Sequence, residues 1–216
     1  MLLVVGAAAV LAGLTIIWVA RLTVTRSVYV SQLGAEGAPT AAMFRVALLL
    51  IAAGGFLIAL ASIDVRSRVR VLDCWAPALS LGFAALCFLI ASQVTCTAHC
   101  PVPIVDPRST YQDLAHTVAA VLGFTAACFA MLQVAFIDRS AWLARYSFVS
   151  CLAVALITIG GGVLAILQVA TTAGAWMELI GTTVAIIWIA VYSLTLACSP
   201  MHARVVSVEW AASTDG

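Results

Sequence analysis

Charge is the scarcest thing in this sequence: Asp, Glu, Lys and Arg together make 9% of its 216 residues, against about a quarter in an ordinary soluble domain. Lysine is missing altogether, and all ten basic residues are arginine. With a formal net charge of +1 and no run of like charges, the chain has no electrostatic means of gripping nucleic acid. No Gly-rich phosphate loop opens a helix, and neither a His-Glu-x-x-His helix nor a Gly-x-Ser-x-Gly elbow occurs. Their absence removes the most recognisable nucleotide, zinc-peptidase and serine-hydrolase chemistries. Nor are two apolar segments interrupted at matching positions, the usual pointer to an alternating-access carrier. No basic residue precedes the first apolar run, and at roughly 20 residues that run exceeds the apolar region of a secretory signal. It reads as a true span.

What is present is apolar. Hydrophobic residues make up 64% of the chain, and mean hydropathy is +1.16. Six stretches, 2–20, 41–62, 75–94, 114–137, 148–170 and 175–198, each approach the roughly 20 apolar residues that a helix needs to cross a bilayer. None alternates as a barrel strand does, and a backbone in hydrocarbon must satisfy its own hydrogen bonds, so the spans are helices. The expected fold is all-α: an integral membrane bundle of six transmembrane helices. It forms a single domain over 1–216, with a short cytoplasmic tail at 205–216. Trp18, Trp75, Trp142 and Trp176 fall near span ends, where indoles favour the headgroup level.

Arginine sets the orientation. The second loop (Arg66, Arg68, Arg70), the fourth (Arg139, Arg145) and the tail (Arg204) carry six, against Arg21, Arg26, Arg45 and Arg108 on the other side. The positive-inside rule then places both termini in the cytoplasm. The Ala- and Arg-rich, Lys-free composition suggests a high-GC bacterium and hence its cytoplasmic (inner) membrane. Cysteine placement agrees: only Cys96 and Cys100 fall in an outward loop, where a pair four apart can form a disulfide if the turn brings them close enough.

Intramembrane polar residues are costly, so their depth is informative. Arg45 lies about one turn into the second span and Glu178 about one turn into the sixth, at similar depth and with opposite charge. Gln93, Asp113, His116 and Gln168 sit near the same outer level. Arg45 and Glu178 either pair or act apart, Arg by snorkelling and Glu by meeting a helix N-terminus. Asp113 and His116, three apart, share a helix face, which suits a metal, a proton relay or a plain helix cap. Cys96, His99 and Cys100 admit a structural disulfide, free thiols or, at an unfamiliar spacing, a metal, with His116 as a further ligand. No other cofactor is expected.

Between the first two spans stands SVYVSQLGAEGAPT, residues 27–40. Its glycines permit tight turns, so it reads as a lid that sets Ser27, Tyr29, Ser31 and Gln32 over an outward pocket. The plainer alternative is an ordered loop that caps the second helix through Pro39 and Thr40. Gly54 and Gly55, and Gly160, Gly161 and Gly162, read as close-packing faces.

The chain resembles a bacterial membrane family catalogued as domain of unknown function 998. The likeness is carried by Ser31, Leu33, Gly34 and Pro39 in the first loop; by Cys96, Cys100 and Pro101 in the third; by His116; and by Glu178 in WMELIGTT. It covers nearly the whole chain and brings no defined activity with it. Tyr29, Ser31, Gly34 and Pro39 are also similar to a segment of PGAP/DRAM/Sfk-type six-helix membrane proteins, a likeness that implies lipid remodelling or membrane organisation. Gln32 stands where that loop often carries Asp, and Leu179 rather than a basic residue follows Glu178.

The leading expectation is a non-catalytic accessory subunit of an envelope assembly, or a binder of a lipid headgroup whose phosphate meets Arg45. Tyr29, Ser31, Gln32, Gln93 and Gln168 are its further candidate contacts. Its partners would be membrane lipids and a membrane protein or a second copy of the chain. The alternatives are a lipid-modifying enzyme, with His116 as base or metal ligand and Asp113 or Glu178 orienting it, and a small-solute or ion carrier gated by Glu178 and Arg45.

Overall fold

Among the described residues, six α-helices follow one another: α1 (Leu2–Thr23), α2 (Ala41–Ala61), α3 (Pro77–Gln93), α4 (Tyr111–Ala135), α5 (Ala141–Leu167) and α6 (Thr171–Ala197). The computed structural model describes residues 1–69, 75–137 and 140–199. Arg70, Arg139 and Arg204 of the orientation argument, together with Cys74 and the tail at 205–216, lie outside the described residues. The fold is all-α. Five helices (α1, α2, α4, α5 and α6) are long and apolar enough to cross a membrane, and α3 is a shorter apolar helix of 17 residues.

The helix ends depart from the apolar runs wherever polar chemistry takes over. α4 begins three residues before the expected span because Thr110 and Asp113 form a reciprocal capping box. α5 begins at Ala141, seven residues early, because the Ser140 side chain accepts the Leu143 N–H at 3.4 Å. Most of the expected fourth loop is therefore helix. The expected fifth turn at 171–174 is likewise the first turn of α6; the chain reverses one step earlier, with Gln168 (φ 56°) and Ala170 (φ 46°) in the left-handed region. α3 is shorter than its apolar run because Pro77 opens it, as proline favours.

Each helix packs against the next, and α6 packs back on α1, which closes a ring. The α1–α2 seam is the tightest. An added Cβ on Gly54 would lie 2.7 Å from the Gly6 carbonyl oxygen, and one on Gly13 would lie 2.8 Å from that of Ala47. Small residues here let two backbones touch. α6 is tied to α1 at both levels: Trp18 donates to Thr183 at 3.1 Å, and Ser193 donates to the Leu3 carbonyl at 2.7 Å. The second bond sets the start of α1 beside the end of α6. Buried polar groups find partners elsewhere too: Ser80 donates to Gln133, Gln133 to the Trp75 carbonyl, and Trp188 to Ser147.

At one end of the ring the first and third loops fold over the opening. Within the first, Ser31–Gly34 makes a single 3-10 turn. Phe44 packs flush against Gly34, where any side chain would collide with the ring. Thr40 donates to the Leu33 carbonyl at 2.8 Å and holds this turn over the start of α2.

Candidate functional site

The main helix contacts run around the ring, and inside it lies a cavity of about 100 Å³. α1, α2, α3, α4 and α6 line it, together with Val30 and Ser31 of the first loop; α5 contributes nothing. The walls are apolar, with Phe44, Phe88, Phe124 and Trp188 as their largest members. Phe88 and Phe124 meet edge to face, their ring centroids 5.5 Å apart. Polar groups gather in a few places on the lining: Ser31, His116, Glu178 and Thr182.

Glu178 reaches the lid rather than another charge. Its carboxylate accepts the Val30 N–H at 2.7 Å, and the N–H and hydroxyl of Ser31 also face it. A carboxylate has about four acceptor sites, so the lid does not exhaust it. Thr182, one turn on, donates to the Glu178 carbonyl at 2.8 Å. Tyr29 lays its hydroxyl against Gly174, at the start of α6, where a larger residue would not fit. That hydroxyl is buried and has no hydrogen-bond partner. Burial first, and the charge of Glu178 second, push the Tyr29 phenol above its ordinary value of 10.0.

His116 is buried on α4, with Nδ1 2.7 Å from the Val94 carbonyl oxygen. A carbonyl only accepts, so Nδ1 carries the proton and Nε2 keeps the lone pair. Asp113, fully buried, accepts from the N–H and hydroxyl of both Thr97 and Thr110, with bonds of 2.7–2.9 Å. It caps α4 and clamps the third loop. Asp113 is therefore not the partner that orients His116; a backbone carbonyl does that.

Cys96 and Cys100 are joined in a disulfide, with Cα atoms 5.0 Å apart. The described cysteines Cys87, Cys128, Cys151 and Cys198 are free. The five-residue loop that the disulfide closes carries two left-handed residues, His99 (φ 68°) and Cys100 (φ 49°). His99 is exposed and turns away from the sulfurs' cluster; His116 takes its place, with a ring nitrogen and both sulfurs within 4.8 Å of one another.

The two loops are stitched into one lid. Glu36 N–H donates to the Cys96 carbonyl at 2.9 Å, Gln32 donates to the His99 carbonyl at 3.0 Å, and Gln112 reaches both Glu36 and the Thr95 carbonyl. Gln32 also accepts the Tyr29 N–H at 3.1 Å, so it braces the lid rather than facing the cavity.

Of the two alternatives for Arg45 and Glu178, pairing or acting apart, the side chains take the second. Arg45 is exposed on the outer face of α2 and donates to Gln93 of α3 at 2.8 Å, while Glu178 points inward. The two share a depth but not a face. Gln168 is exposed and donates to the Ala165 carbonyl at 2.6 Å; it finishes α5 and stands apart from the polar group. Thr182 went unnoticed in the sequence, although its spacing of four from Glu178 puts the two on one helix face.

Fold and site together define a multi-pass membrane protein whose helical ring encloses a lidded, mostly apolar cavity. The chain belongs to the family described as "Protein of unknown function (DUF998)", whose model matches residues 3–195. No curated protein and no solved structure matches it, so the second likeness, to PGAP/DRAM/Sfk-type proteins, has no support beyond the four residues that suggested it.

Proposed function

We propose that this chain is a six-span protein of the bacterial cytoplasmic membrane, both termini in the cytoplasm, that binds the headgroup of a membrane lipid beneath its outward lid and catalyses no reaction on it. The observation that carries the reading is the cavity: apolar walls, with Ser31, His116, Glu178 and Thr182 as its polar contacts, under a lid fastened to Glu178. Such a mostly apolar hollow with a few convergent polar groups is the usual form of a small-ligand site. A carboxylate and an imidazole lone pair both accept hydrogen bonds, so the fitting headgroup offers donors, as an ammonium or a hydroxyl does.

Arg45 has a different role in this reading. Exposed beside Gln93, it meets phosphates of the surrounding lipid from the outer surface, as a snorkelling arginine does. The expectation of a protein partner or second copy adds nothing to the site itself.

The test is mass spectrometry of lipids retained by protein purified in mild detergent, for wild type and for Glu178→Gln. The wild type should hold one lipid class enriched over the membrane average, and the variant should lose that enrichment while keeping its melting temperature within a few degrees. A wild type that carries only the bulk lipid mixture refutes the proposal. The enzyme reading keeps one supporting observation, the fixed tautomer of His116, and predicts instead that the retained lipid turns over and that His116→Ala stops it.

A further inference from the structure

We propose that Cys96, Cys100 and His116 form a zinc(II) site when the cysteines are reduced, and that the disulfide is the closed, metal-free state of the same site. The inference does not rest on the lipid reading, but the two share His116, whose free ring nitrogen would meet either the headgroup or the metal.

Geometry carries it. Both sulfurs and a ring nitrogen of His116 lie within 4.8 Å of one another. In a tetrahedral site with Zn–S near 2.3 Å and Zn–N near 2.05 Å, sulfurs sit about 3.8 Å apart and sulfur and nitrogen about 3.5 Å apart. Rotation about the Cys side chains, once the S–S bond is open, covers that difference. The imidazole is already oriented: Nδ1 donates to the Val94 carbonyl at 2.7 Å, the outer hydrogen bond that metal-ligating histidines generally make, so the proposal assigns the ligand role to Nε2. Third-loop contacts hold the backbone, because the Cys96 carbonyl accepts from Glu36 at 2.9 Å and the Thr97 N–H donates to Asp113 at 2.7 Å.

Charge selects the metal. Cys96 is fully buried and His116 is 5% exposed, so a net charge here is costly. Two thiolates and a neutral imidazole cancel zinc(II), whereas copper(I) would leave one negative charge. Three protein ligands also leave a fourth position open.

Opening the site is a two-electron reduction by a dithiol. One reductant thiolate attacks Cys100, the more exposed partner; the S–S bond breaks, Cys96 leaves as thiolate, and the second reductant thiol closes the reductant's own disulfide and releases Cys100. Two protons pass to the cysteines and are released again as zinc binds.

The experiment titrates cobalt(II), a spectroscopic stand-in for zinc, into the full chain in nanodiscs, anaerobically, after reduction and removal of the dithiol. The reduced wild type should take up one equivalent with thiolate-to-cobalt charge-transfer absorption, which zinc(II) then bleaches. The oxidised wild type, the same folded chain, should show none. His116→Ala should weaken binding at least tenfold and His99→Ala should leave it unchanged. Absence of stoichiometric cobalt in the reduced protein overturns the proposal. So does equal binding by the oxidised form, or loss of binding in the His99 variant with retention in the His116 one.

Discussion

Asp113 and His116 are three residues apart, both buried at the start of α4, and the structure gives them different work. Removing the Asp113 carboxylate takes away a helix cap, worth about 1 kcal/mol, and strands donors on Thr97 and Thr110, at about 1–3 kcal/mol. Asp113→Ala should therefore lower stability by about 2–4 kcal/mol in thermal unfolding, with Asp113→Asn less harmed; an alanine variant as stable as wild type would contradict the clamp. Tyr29 gives a pH test. Its folded phenol titrates above 10.0 because burial, and then Glu178, oppose ionisation. The neutral phenol's contribution is complete below the unfolded value and disappears as pH rises through the folded one. Wild type should thus lose stability in alkali more steeply than Tyr29→Phe, and the difference between the two should stop changing with pH near neutrality. Much of this site was legible in the sequence, because a Glu, a His or a Ser stands out in an apolar run. What depth along a helix cannot reveal is rotation about it. Arg45 and Glu178 looked like partners for that reason, and the aromatic wall of Phe88 and Phe124 was invisible among helices apolar on every side.

At the scale of the element, composition located each α-helix among the described residues, and the ends were misjudged where a polar residue extends a helix beyond its hydrocarbon run. Ser140 and Thr110 are the two instances, and both are ordinary N-caps. Glycines were legible as packing residues but not individually. Gly54 faces the Gly6 backbone, where a Cβ would sit 2.7 Å from a carbonyl oxygen that cannot move aside, while Gly162 has nothing within 4 Å. Gly54→Ala should push α1 from α2 and cost about 1–3 kcal/mol, the range for overpacking. Gly162→Ala should be neutral or gain up to about 1 kcal/mol from helix propensity. Denaturant unfolding of the pair in one detergent compares them directly, and equal effects would mean that the seam is looser than it looks.

For the whole molecule the open question is how many times the chain crosses. At about 1.5 Å per residue, the 17 residues of α3 rise about 25 Å, short of a roughly 30 Å hydrocarbon layer, so length alone does not make it a span. The lid argues that it is one. Glu36 in the first loop bonds to Cys96 in the third, and Gln32 bonds to His99, so the two loops lie on the same side. Between them run α2 and α3, and two loops meet on one side only if the chain crosses an even number of times. On the six-span proposal α2, which is long enough to cross, and α3 run in opposite directions, with the bilayer thinning locally to meet α3. The Ser193–Leu3 bond likewise puts the start of α1 and the end of α6 on one side of the bundle. Epitope tags placed at Gly37, at Ile104 and at Ile63 decide the matter in intact cells. Gly37 and Ile104 should be accessible together from outside and Ile63 only after permeabilisation. Accessibility that splits Gly37 from Ile104 would leave α3 short of the far side and would undo the shared lid on which the cavity depends.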